Sequence, residues 1–244
     1  MLTVLLLSLS ACLAWFMSTL VAGGAASLLL PLLVWVLGSQ QAAPCIAVAA
    51  IVSNPTRAFV FAKFINWRVI AFLLPGTCLG AIIGAYGFTQ LNSQHIKLLI
   101  GIFLVSTLFQ ERLEKAGFRL IKQAAWFLPL GAMVAFISAV VGALGPVYNP
   151  FLLSYGLEKE SLIATKAFNS FVMQAIKIIA YGSFGAMNEN ILGYGFILGI
   201  SGAIGVLFAK RFLVSMSTQS FKRLMYIFMP LIGCLFIYQS LTSI

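Results

Sequence analysis

Apolar runs close to the length a helix needs to cross bilayer hydrocarbon, about twenty residues, recur from one end of this chain to the other. The first is "LTVLLLSLSACLAWFMSTL" at 2–20, and others fall near 42–62, 68–88, 96–110, 124–141, 161–183, 191–209 and 221–241. No soluble domain could cover that much apolar surface, since 61% of the residues are hydrophobic and only 8% charged. In lipid every backbone N–H and C=O must be paired within the protein, which at these run lengths means helices. The expected fold class is an all-α polytopic membrane protein, and 244 residues leave no room for a sizeable soluble domain.

Other classes are excluded along the way. The formal net charge of +10 is spread over short loops, as on the cytoplasmic side of a membrane protein, and forms no basic patch interleaved with aromatics for nucleic acid. Cys12, Cys45, Cys78 and Cys234 lie in apolar runs without a CxxC pair, so neither a metal nor a disulfide framework is expected. "LSAC" at 9–12 resembles a lipoprotein cleavage box, but no Lys or Arg precedes it; residues 2–20 are therefore read as a retained first helix.

The chain repeats itself. "VAGGAASLLLPLLVWVLG" (21–38) aligns with "VVGALGPVYNPFLLSYGL" (140–157) at a shift of 119, placing Gly23 on Gly142 and Pro31 on Pro150. "LNSQHIKLLIGIF" (91–103) aligns with "MSTQSFKRLMYIF" (216–228) at a shift of 125, with five of thirteen positions identical. Each half then holds four long helices and one short apolar piece, near 28–38 and 147–156, entered through a glycine-rich turn. Residues 1–110 form the first repeat, 111–123 a cytoplasmic linker and 124–244 the second repeat, together one transport domain.

Charge arbitrates whether the short pieces cross or turn back. If each completes a crossing, eleven of the fifteen Lys and Arg face the cytoplasm. If they re-enter, Lys210, Arg211, Lys222 and Arg223 move outside. The positive-inside rule favours crossing, and five crossings per half set the two repeats upside down relative to each other, a plan that recurs among secondary transporters.

Two constellations carry chemistry. "GGAAS" (23–27) and "GALGP" (142–146) each precede a short proline-bearing helix. Such turns place helix N-termini inside the membrane, where partial positive charge and directed N–H groups attract anions; close helix packing is the competing use of the same glycines. The second is a polar stripe on 162–182. At ~100° per residue, Lys166, Asn169, Ser170, Met173 and Lys177 share a face, with Gln174 on its flank. A shift of 117 sets Ser53 on Ser170 and Arg57 on Gln174. Basic side chains near helix ends can snorkel to water, but Asn54, Asn169, Ser170 and Gln174 are neutral and need partners. The chain has no Asp, and Glu111, Glu114, Glu158, Glu160 and Glu189 all fall in expected loops. Buried cations without carboxylates point to an anionic guest or a wet cavity.

With its Gly-rich openings, a proline eight residues on, polar second helices ("AVAAIVSNPTRAF", "IATKAFNSFVMQAIK") and glycine-rich third helices ("LPGTCLGAIIGAYG", "GYGFILGISGAIG"), the chain resembles the sulfite exporter TauE/SafE family, or TSUP, over nearly its whole length. The resemblance implies a multi-pass carrier of the bacterial inner (plasma) membrane that moves sulfite, thiosulfate or organosulfonates by alternating access, one repeat rocking against the other. No enzymatic activity and no cofactor are expected, since nothing in the sequence asks for one and GxSxG, HExxH and P-loop motifs are missing. The substrate-binding set is Gly23, Gly24, Ser27, Ser53, Asn54, Arg57, Gly142, Gly145, Asn149, Lys166, Asn169, Ser170, Gln174 and Lys177. Partners are a small anion and the lipid bilayer; a proton or sodium coupling ion and a homo-oligomer are compatible with the sequence. A passive anion channel, or a membrane-embedded enzyme or assembly subunit, are the competing functions.

Overall fold

A computed structural model describes residues 2–20, 25–115, 123–143, 147–157, 159–212, 230–231 and 233–242. The regular structure of these residues is helical, without strands. The helices are α1 (Leu2–Leu20), α2 (Ala25–Leu37), α3 (Ser39–Val60), α4 (Trp67–Gln90), α5 (Ser93–Lys115), α6 (Phe127–Val141), α7 (Tyr148–Tyr155), α8 (Lys159–Ser183) and α9 (Glu189–Phe212); residues 233–242 are helical as well. Four helical segments are long and apolar enough to cross a membrane: Trp67–Gln90, Ala124–Val141, Glu160–Ser183 and Glu189–Ala209. The protein is a multi-pass membrane protein whose described regular structure is helical throughout.

Three details differ from the sequence-based expectation. The first short piece starts at Ala25, so Pro31 stands in the interior of α2, and the Ser27 carbonyl loses the N–H that a residue four further on would donate. Glu111 and Glu114 lie in the last turns of α5, while Glu160 and Glu189 lie in the first turns of α8 and α9, not in loops. Acids at helix N-termini are favoured by the helix dipole, which explains the last two. Finally, α5 extends to Lys115, so part of the segment expected as a linker is helical.

Lipid gives helices no hydrophobic reason to pair, so small residues that let backbones touch decide the neighbours. On α4, a methyl on Gly76, Gly80 or Gly84 would overlap the backbone of Leu128, Ala132 or Phe136 on α6. Partners advance together, so α4 and α6 run in the same sense. Gly195 and Gly199 of α9 press on Val48 and Val52 of α3, also in the same sense, and Gly205 presses on Cys12 of α1. Gly233 meets Gly101 and Leu104, while Ser240 exchanges hydrogen bonds with Gln94 at 2.9 and 2.7 Å; the 233–242 stretch thus runs opposite to α5. The outer faces present Leu79, Ile83, Ile200, Leu207 and Phe208, apolar groups suited to lipid.

Candidate functional site

The polar face of α8 is buried at the centre of the bundle, where it packs on α3, α4 and α7, and successive residues along it reach different neighbours. Lys166 Nζ donates to Asn149 Oδ1 on α7. Asn169 Oδ1 accepts from Thr77 Oγ1 on α4 at 3.0 Å, and its Nδ2 reaches the Tyr148 hydroxyl on α7 at 3.5 Å. Ser170 Oγ accepts from Asn54 Nδ2 on α3 at 2.9 Å. Lys177 Nζ donates to the Ser138 carbonyl and lies 3.4 Å from the Ser138 hydroxyl, both at the end of α6. The i, i+3, i+4 spacing that made the stripe legible in the sequence is what fans these groups over one face.

Lys177 is 0% exposed. Its nearest acid on the same helix, Glu160, is seventeen residues away, about 25 Å along the axis. The ammonium instead sits where α6 ends. Gly142 closes that helix in the left-handed region, at φ 95°, a conformation glycine adopts without a Cβ clash. Ser138 O accepts from Gly142 N–H at 2.8 Å as well as from Lys177 at 3.0 Å. A cation at a helix C-terminus meets the negative end of its dipole, so the buried charge has a dipolar partner in place of a carboxylate. The Gly142 N–H is thus paired inside α6.

Of the residues singled out from sequence, Asn54, Asn149, Lys166, Asn169, Ser170 and Lys177 are joined through α8. Ser53 turns its hydroxyl back to the Ala49 carbonyl at 2.9 Å and is satisfied within α3. Gly23, Gly24, Gly145 and the side chain of Arg57 lie outside the described residues. Two polar groups are buried without a hydrogen-bond partner among the described residues, Gln174 Oε1 and Ser27 Oγ. Gln174 lies one turn beyond Ser170 and is 4% exposed. An unpaired buried carboxamide or hydroxyl costs about 1–3 kcal/mol, and such a cost persists where something else pays it at another stage of function.

Sequence reasoning missed Thr77, Tyr148 and Ser138. Thr77 follows the first glycine of the α4 series, and Ser138 stands four residues before the glycine that ends α6; both positions are polar interruptions in apolar runs, and only the partner helices reveal their use.

A multi-pass helical bundle with a buried polar face has the build of a membrane transport protein. The profile of the sulfite exporter TauE/SafE family matches residues 7–236, and the chain belongs to that family. Membership makes it a membrane transporter of the sulfite-exporter class, in a family of transporters and not of enzymes. No curated protein and no solved structure shows a significant match to the chain.

Proposed function

We propose that the chain is a secondary transporter of a small sulfur-containing anion, such as sulfite, thiosulfate or an organosulfonate, working by alternating access in the bacterial inner membrane. The observation that carries this reading is the pair of unpaired buried groups, Gln174 and Ser27, in a chain that has no Asp to hold a metal cation. A sulfonyl or sulfite group accepts hydrogen bonds through several oxygens. The Ser27 hydroxyl donates to one, and a Gln174 carboxamide turned over presents its N–H₂ edge. Asn54, Asn169 and Ser170 exchange their internal bonds for bonds to the anion, while Lys166, Lys177 and Arg57 supply positive potential.

The same reading makes the architecture two inverted repeats, 1–110 and 124–244, each with four long helices and one short broken helix that completes a crossing. The helix directions support it. If α3 and α9 run in one sense and α4 and α6 in the other, the chain passes the membrane once between α6 and α8, and α7 is the segment that returns it. Helices that correspond by the repeat, such as α5 and the 233–242 stretch, then point in opposite directions.

Reconstituted into proteoliposomes, the wild type should take up ³⁵S-sulfite against an inert control, and Gln174→Ala should slow initial uptake by about tenfold, the effect of one lost hydrogen bond to a charged ligand. Absence of flux for every anion in a sulfite, thiosulfate and sulfonate panel would remove the proposal. Currents far above carrier turnover in a planar bilayer would replace it with a channel.

A further inference from the structure

Glycine contacts divide the bundle along a line that the linear sequence does not follow. α4 belongs to the first half of the chain and α6 to the second, yet they meet backbone to backbone through Gly76, Gly80, Gly84 and Gly131. α9 presses as closely on α1, through Gly205 on the Cys12 backbone and Gly202 on the Trp15 ring, and on α3, through Gly195 and Gly199 on the Val48 and Val52 side chains. At these positions not even a methyl group fits, so neither pair of helices can slide or part without losing its packing. Rocking one half of the chain against the other would shear every one of these contacts.

Polar and aromatic contacts extend each fused pair. α8 is tied to α4 through Thr77–Asn169 and the Trp67–Phe168, Tyr86–Phe184 and Phe88–Tyr181 ring pairs, to α6 through Lys177–Ser138, and to α7 through Lys166–Asn149. α2 packs on α1 and α3. The result is two groups, α1–α2–α3–α9 and α4–α6–α7–α8. The substantial contact between them is α3 against α8, with a smaller one of α6 on α3. Across the first lies the Asn54–Ser170 hydrogen bond at 2.9 Å; across the second, a methyl on Gly142 would lie 3.1 Å from Ala43, tighter than most packed contacts but short of the overlaps found within each group. The repeat shift carries α1, α2, α3 and α9 onto α6, α7, α8 and α4, so each group is the image of the other.

We infer that the moving bodies are these two helix-exchanged groups, and that they part along the α3–α8 seam, with Asn54–Ser170 as the contact that opens. The inference rests on the transporter reading for its purpose, but the division into bodies does not. The seam is as extensive as the packing of α8 on α4, but among the described residues no glycine locks α3 to α8 backbone to backbone, and its side-chain tie is a single hydrogen bond. One side chain–side chain hydrogen bond between neutral groups in a membrane is worth about 0.6–2 kcal/mol, and an incoming anion replaces it. Gln174, one turn along α8, adds an unpaired group beside the opening.

Two cysteine pairs separate this from motion of one half against the other. Both pairs join the first half of the chain to the second, but only Asn54→Cys with Ser170→Cys bridges the two groups; Tyr86→Cys with Phe184→Cys lies inside one. In a background lacking the native cysteines, a short bifunctional thiol reagent with a cleavable disulfide should slow sulfite uptake by about tenfold or more in the seam pair, reversed by reductant, and change it less than about twofold in the α4–α8 pair. Arrest by both ties, or by neither, overturns the inference while leaving transport intact. Spin-label distances decide the matter where the seam variant is inactive before tying or the wild type moves no anion. Labels at Phe59 and Ile179, on exposed faces of α3 and α8, should give a broad or two-peaked distribution in nanodiscs, and labels at Tyr86 and Met133 on α4 and α6 a single narrow one. Equal widths for the two pairs overturn the division into bodies, whatever the flux.

Discussion

At the scale of single residues, α8 shows how a stripe of polar positions becomes a set of bonds to several helices. Periodicity alone places Lys166, Asn169, Ser170 and Lys177 on one face, but a helical wheel does not name the partners. Thr77 and Tyr148 come from helices distant in the chain, and their roles depend on packing that no local pattern encodes. Lys177 is the sharpest case. The sequence shows a cation lacking an acid, whereas the structure supplies the end of α6 as its counterpart. Thr77→Val should leave Asn169 Oδ1 without its donor and lower stability by about 1 kcal/mol, read as a few degrees of thermal midpoint in detergent. In a cycle with Asn169→Leu the two losses should be less than additive, since the double variant removes both partners; strict additivity would mean that the bond contributes nothing. Lys177→Met removes a buried charge and its desolvation cost together. It should therefore leave the folded protein within a few degrees of wild type while cutting sulfite uptake by about tenfold or more, and an unchanged uptake would take Lys177 out of the site.

Among the elements, legibility follows from the solvent. Helix ends are marked where apolar runs give way to polar residues, because the bilayer sets their length; α1, α4 and α8 accordingly lie within two residues of the expected bounds. The pairing of helices was not legible, since every glycine-rich run reads alike until its partner backbone is seen. Gly80 and Gly182 make the contrast measurable. A Cβ on Gly80 overlaps the Ala132 carbonyl, whereas one on Gly182 meets nothing within 4 Å. Gly80→Ala must push α4 from α6 over a rigid backbone contact, costing about 1–3 kcal/mol as overpacking does, and should reduce the monodisperse fraction recovered on size exclusion. Gly182→Ala should recover like wild type. Equal recovery of both would show the α4–α6 interface to be more yielding than its spacing indicates.

For the molecule as a whole, the position of the loops tests the crossing of the short helices, because charge and helix direction both bear on it. With α2 and α7 completing crossings, Lys63, Lys159 and Lys210 share the side that carries most of the basic residues, and Asn188, between α8 and α9, lies on the opposite side. The positive-inside rule assigns the basic side to the cytoplasm, since moving each additional Lys or Arg outward works against the membrane potential and the anionic inner leaflet. With α2 and α7 re-entrant, Asn188 would instead face the cytoplasm and four basic residues of the second half would face out. Single cysteines at 63 and 188 in a cysteine-free background give opposite answers under the two arrangements. A membrane-impermeant maleimide added to intact cells should label Asn188→Cys and leave Lys63→Cys unlabelled until the membrane is permeabilised. Labelling of Asn188→Cys only after permeabilisation would make α7 re-entrant. It would also set α8 and α9 in directions that conflict with the shared sense of α3 and α9 recorded by Gly195 against Val48 and Gly199 against Val52, so one accessibility measurement bears on the repeats, the crossings and the bodies that part between them.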